Sequence, residues 1–235
     1  QGDWSSDVCS SDLLPEPEMT FLEGVRQPLP PLKIAFGFTV PPFPDADEIC
    51  VSAVRETVKR LANLGHQVEP ACPDCEGLVE PFKRIWQAGA LASGIPLELL
   101  SPLNQWLGPQ AGTAGDYLQA VQQMQVISRR IVAFFADFEV LVLPVYRHQP
   151  IRVGEWADLS PAETVEKIIN WIAPCPPFNA SGLPAIALPT GFDANGLPVG
   201  VQLVGRPAAE GTLIALAAQL EAAHPWSQHR PNFAM

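Results

Sequence analysis

The period of the apolar positions changes several times along the 235-residue chain, and each change predicts an element. Residues 32–38 (LKIAFGF) form a short continuous apolar run, the pattern of a strand covered on both faces. Residues 45–64 switch to a helical period, with Cys50, Val54, Val58, Leu61 and Leu64 on one stripe. Asp45 or Asp47 can cap this helix, and Gly65 ends it. Residues 66–70 return to a strand, so strand, helix and strand make a βαβ unit with its two strands parallel.

Farther on, residues 76–94 and 96–107 read as helices, and 113–138 as the longest helix. In the last, Tyr117, Val121, Met124, Ser128, Ile131 and Phe135 share a face. Residues 139–145 (EVLVLPV) are a second buried strand, and 146–159 a loop. Ser160, Pro161 and Glu163 form a capping box with proline at the first position, opening a helix over 160–172. Residues 173–183 are a connection, 184–189 and 199–206 a pair of strands, and Asn195-Gly196 between them signals a hairpin. Leu213, Leu216, Ala217 and Leu220 mark a last helix over 210–223. The expected fold is α/β: a mixed β-sheet flanked by helices, in one domain.

Two stretches stand apart from this pattern. Residues 1–13 (QGDWSSDVCSSDL) double Ser-Ser-Asp, follow neither period and resemble the in-frame translation of a common sequencing adapter. They are expected to be an artefactual tail, excluded from fold reasoning. Residues 14–31 are proline-rich, with Phe21, Leu22 and Val25 as apolar anchors, and read as a linker. Residues 32–235 are the domain.

Composition narrows the partners. A net charge of -11 without a basic stripe argues against nucleic acid and against an anionic membrane surface. No apolar run is long enough for a membrane span, and the start lacks the pattern of a signal peptide. Five cysteines without framework spacing suit a reducing, cytoplasmic compartment. Cys72 and Cys75 form a C-x-x-C, but no second pair completes a zinc site; a redox role would need a helix N-terminus directly after them. Ser181 lies outside any G-x-S-x-G elbow and reads as turn chemistry with Gly182. Tyr146, Arg147 and His148 follow a strand end, where α/β sites gather.

Several segments in order resemble the amidase signature family: residues 32–70, the strand FADFEVLVLPVYRHQP, and above all FNASGLPAIALPTGFDANGLPVGVQLVGRP, continued by the last helix. The strand departs from the family pattern at Val145, where the family carries Thr. The resemblance implies a C-terminal portion of the amidase fold, from an enzyme that cleaves carboxylic amides. It implies a Ser, cis-Ser, Lys triad, a small-molecule amide substrate, and neither metal nor organic cofactor. The Gly/Ser-rich segment that bears the triad does not occur here. None of Lys33, Lys59, Lys83 and Lys167 precedes such a run, so no catalytic residue is carried over. The missing N-terminal half of the same polypeptide is then a partner, expected at an open sheet edge, and the chain alone is expected to be inactive.

By the same resemblance, Trp171, Cys175, Phe178 and Asn179 border the substrate cleft, since aromatic groups with one polar group suit an amide. Core packing is the competing role for these residues. Two other readings remain open: a non-catalytic α/β module binding a ligand or partner through residues 171–179, and a fragment of the amidase subunit of a tRNA-dependent amidotransferase.

Overall fold

A computed structural model of the chain describes residues 20–26, 28–92, 94–226 and 228. The adapter-like segment 1–13 lies outside the described residues, as do residues 14–19 of the linker. Five strands form one sheet: β1 (Lys33–Phe36), β2 (Gln67–Pro70), β3 (Val140–Pro144), β4 (Ala185–Phe192) and β5 (Pro198–Gly205). Their order across the sheet is β2-β1-β3-β5-β4. β1 runs parallel to β2 and β3, and β5 runs antiparallel to β3 and β4. The sheet is mixed, as the sequence predicts.

Eight helices accompany it among the described residues: α1 (Phe21–Gly24), α2 (Glu48–Asn63), α3 (Val79–Ala92), α4 (Pro102–Leu107), α5 (Ala114–Phe134), α6 (Pro161–Ile172), α7 (Pro176–Ser181) and α8 (Glu210–Ala223). The alternation along β3 explains how they are arranged. Val140 and Val142 point into a core shared with Val54 and Leu61 of α2 and Leu216 and Leu220 of α8. Leu141 and Leu143 point the other way, against Ile127 and Ile131 of α5, Phe135, and Phe178 of α7. Every residue of β3 is buried, which is why its sequence is continuously apolar rather than alternating.

Local chemistry sets the ends of the helices. α2 closes in a Schellman arrangement: Gly65 N–H donates to Ala62 O (3.0 Å) and His66 N–H to Leu61 O (3.1 Å). Gly65 has φ +95°, which a side chain would strain. α6 carries the predicted capping box, Ser160 with Glu163, and α5 an equivalent one, Thr113 with Asp116. Asp47 holds the N-cap position of α2 without a side-chain cap bond.

Three expectations change. Residues 173–183 contain the helix α7; a six-residue helix opening on Pro176-Pro177 has too few positions to show a period. Tyr117 is exposed, and the buried line of α5 runs through Ala120, Ile127 and Ile131; the helix packs chiefly against α3 and α7. The linker region holds one helical turn, α1, closed by a capping box of Thr20 and Glu23 and packed against α8.

Candidate functional site

The parallel strands β1 and β3 deliver their carboxyl ends to the same side, the place where open α/β sheets hold ligands. Three segments meet there: residues 37–47 after β1, residues 145–150 after β3, and residues 171–182 at the end of α6 and through α7.

Arg147 joins them. It is buried; its Nε donates to Pro44 O (3.0 Å), its Nη2 to Asp45 O (3.2 Å), and its Nη1 to Asn170 Oδ1. Its backbone continues the stitch: Arg147 N–H donates to Trp171 O (2.9 Å), and Asp47 N–H to Arg147 O (2.7 Å). A planar guanidinium with five donors suits this task, since it satisfies several fixed acceptors from one stem. Arg147, expected beside the cleft, is therefore committed to holding its walls.

Trp171 lies half-buried in an aromatic stack. Its ring is 5.5 Å from His148 at an interplanar angle of 11°, and 4.8 Å from Tyr146. Trp156 of the 146–159 loop meets it edge-on at 5.9 Å. The indole N–H donates to His148 O (2.9 Å), and His148 Nδ1 donates to Gln149 O (2.8 Å), which fixes that imidazole. Beyond the stack an open cleft of about 690 Å³ is bordered by Asp47, Glu163, Lys167 and Asn170.

The other predicted residues do not converge with Trp171. Cys175 is half-buried and its thiol donates to Val145 O (3.2 Å); burial pushes its pKa up to about 11. Phe178 is 3% exposed and belongs to the core with Leu141 and Leu183, so packing accounts for it rather than the cleft. Asn179, one residue on, is exposed. Ser181 Oγ donates back to Pro177 O (2.8 Å) within α7, the turn chemistry expected of it.

On the inner side of α7 lies a slot of about 40 Å³ that the sequence did not announce. Its walls include Val40, Pro41, Pro42, Phe82, Trp86 and Ile172. The available signal was Val79, Phe82 and Trp86 at helical spacing on α3, which reads equally as core.

The closing motif proves to be scaffolding for these walls. Gln202 is buried, and its amide donates to Pro174 O (2.8 Å) and Pro144 O (3.3 Å), tying the end of β3 to the turn before α7. Gly200 has no room for a side chain, because a Cβ would stand 2.8 Å from Leu188 O across the hairpin. Arg206 Nε donates to Phe135 O (2.8 Å) and Phe138 O (2.9 Å), capping the carboxyl end of α5, and its Nη2 pairs with Glu139 at 3.0 Å.

The thiols of the C-x-x-C lie in surroundings that disfavour a thiolate. Cys72 donates to Thr39 O and Cys75 to Pro73 O, and burial raises their pKa values to about 11 and about 12. A nucleophilic dithiol needs the opposite shift. The next helix begins only at Val79, and no cluster of three or more His, Cys, Asp or Glu among the described residues could hold a metal ion.

These features define an α/β chain with an apolar slot at the carboxyl ends of its parallel strands and a motif-built frame around it. The Amidase family model matches residues 1–214, and the chain belongs to that family. A relative from Synechocystis sp. that bears an amidase name is 53% identical over 208 residues, covering 88% of this chain and 41% of its own length. A 6-aminohexanoate-cyclic-dimer hydrolase from Pseudomonas sp. is 30% identical over 210 residues, covering 79% of this chain and 42% of its own length. Among solved structures, a 6-aminohexanoate cyclic dimer hydrolase superposes with a TM-score of 0.84 at 24% identity, over 93% of this chain and 50% of that one. A bacterial aryl acylamidase gives a TM-score of 0.68 at 21% identity, over 90% and 47%. The chain thus spans less than half the length of these two relatives. No helix among the described residues is long and apolar enough to cross a membrane.

Proposed function

We propose that this chain is the C-terminal part of a hydrolase of carboxylic amides, supplying one wall of its substrate cleft. The observation that carries the reading is the identity of 53% to an amidase-named relative of which the chain matches only 41%. The Ser, cis-Ser, Lys triad then belongs to the preceding part of the polypeptide, and the intact enzyme works on a small-molecule amide without metal or organic cofactor. Trp171, Cys175 and Asn179 are its candidate substrate-contacting residues, set apart from one another in this chain, while Phe178 anchors α7 in the core. The free thiols of Cys50, Cys72, Cys75 and Cys175 support a reducing, cytoplasmic setting.

The N-terminal half is the partner of the outer edge of β4. That strand is an edge of the described sheet, and it is eight residues long with Ala185 and Ala187 exposed. A long edge with small, uncharged residues is a template for another strand. The test is amide hydrolysis by the chain alone, by the longer gene product, and by the chain mixed with the separately produced N-terminal half of the Synechocystis sp. relative. Turnover is expected in the last two samples only. Turnover by the chain alone sinks the proposal.

A further inference from the structure

We infer that the slot between α3 and α7 receives a slim aliphatic segment of the amide substrate and excludes an aromatic ring, which deepens the hydrolase reading above and rests on it. Three observations lead there. The first is chemical: the lining is apolar side chains, apart from the indole N–H of Trp86 and the thiol of Cys75, which is already committed to Pro73 O. An amide group placed inside would lose its hydrogen bonds to water and find at most one side-chain donor in return, so the slot takes the hydrocarbon end of the molecule.

The second observation is size. The slot measures about 40 Å³. A dry cavity that accepts benzene measures about 150 Å³, several times more. A short alkyl chain fits where a phenyl ring does not.

The third is that two of its walls cannot easily retreat. One wall is Pro41-Pro42 and the other includes Pro176-Pro177, whose rings fix φ. Arg147 pins the first wall through Pro44 O and Asp45 O, and the end of α6 through Trp171 O. Gln202 pins the turn before α7 through Pro174 O. The third wall, α3, contributes Phe82 and Trp86, so the width available to a ligand is set chiefly by Trp86, the bulkiest lining side chain.

The expected signature is a chain-length series. From acetamide to butyramide, each added methylene tightens binding by about threefold to fourfold. The experiment is methyl-resolved NMR of the 235-residue chain titrated with acetamide, propionamide, butyramide and benzamide. Butyramide shifts the methyls of Val40, Val79, Ile169 and Ile172, and benzamide leaves them in place. Benzamide moving the same methyls with equal or greater affinity overturns the inference, as does butyramide moving none of them.

Two variants extend the test. Ala173→Leu fills the slot and weakens butyramide at least tenfold; undiminished affinity in the folded variant overturns the inference. Should that variant fail to fold, Trp86→Ala decides: it widens the slot and admits benzamide at the same methyls, and continued exclusion of benzamide counts against the inference. Hydrolysis by the longer gene product separates the two readings. A slot signature without amide turnover removes the hydrolase reading alone, whereas turnover without the signature removes the slot alone.

Discussion

The side chain of Gln202, on β5, donates to the carbonyl of Pro174, 28 residues earlier and in the turn before α7, at 2.8 Å. A strand paired on both sides within the sheet thereby sets the position of the cleft wall. Gln202→Leu is expected to leave the Pro174 and Pro144 carbonyls unsatisfied in the interior, at a cost of about 1–3 kcal/mol. Urea unfolding measures this loss. Gln202→Glu loses more than Gln202→Leu, because it sets a carboxylate against two carbonyl oxygens; the reverse order counts against the assigned bonds.

His66 connects the entrance of β1 to the last helix. Its Nδ1 accepts from Leu32 N–H (3.1 Å), so its Nε2 carries the proton and donates to Gln219 Oε1 (3.1 Å). His66→Ala is expected to cost about 2 kcal/mol, from the orphaned Leu32 N–H and the lost packing. Gln219→Ala costs less, since only one bond goes. A double-mutant cycle on thermal unfolding yields a coupling of about 0.5–1 kcal/mol if the pair is direct, and none if it is not.

Thiol chemistry offers a third measurement. Burial raises Cys50, Cys72 and Cys175 to about 11 and Cys75 to about 12. At pH 8 the native chain therefore reacts very slowly with iodoacetamide at these positions, and far faster once unfolded. Mass spectrometry after timed alkylation reads the result. Fast labelling of Cys72 or Cys75 in the native chain would restore the redox reading of the C-x-x-C.

Acid stability follows from two helix caps and the hairpin turn. The Ser160 side chain, with its backbone N–H, holds Glu163 below its usual value of 4.5. The Thr113 backbone N–H, with its hydroxyl, holds Asp116 below 3.8, and the Leu197 N–H does the same for Asp193. Each folded pKa is depressed, so each contribution is complete above the unfolded value and is lost as pH falls through the folded one. The thermal midpoint is expected to fall progressively below about pH 4.5. Glu163→Gln flattens that fall, and an unchanged profile in the variant refutes the assignment.

One substitution is expected to stabilise. Thr39 Oγ1 is buried with no hydrogen-bond partner among the described residues. Thr39→Val keeps the shape and removes the stranded hydroxyl, for a gain of about 1 kcal/mol in denaturant unfolding. A loss of stability instead identifies a partner for that oxygen.

How much of this was legible beforehand depended on whether a signal was local. The capping box at Ser160 and Glu163, the Gly65 terminus and the Asn195-Gly196 hairpin are written within a few residues and appear where the sequence predicts them. The parallel pairing of β1 and β2 followed from chain order alone. The site was less legible because its groups meet only in space. Nothing near Arg147 in sequence indicates that its guanidinium will serve Pro44, Asp45 and Asn170. Phe178 and Asn179 are neighbours in sequence, yet α7 turns one into the core and the other to solvent; that helix is too short to have declared which face is which. The motif residues Gln202 and Arg206 were visible as a family flag, but their work as tie and cap needed the coordinates of the carbonyls they serve.

The strand order has a consequence for synthesis. β3 sits between β1, which precedes it by about a hundred residues, and β5, which follows it by about sixty. When β3 leaves the ribosome one side can dock at once, but the other stays open, with five fully apolar residues, until the hairpin arrives. During that interval the nascent chain carries its stickiest segment uncovered. A stop codon between β3 and β5 would make the condition permanent, so truncations there should be cleared by proteolysis or aggregate rather than accumulate as partly folded protein.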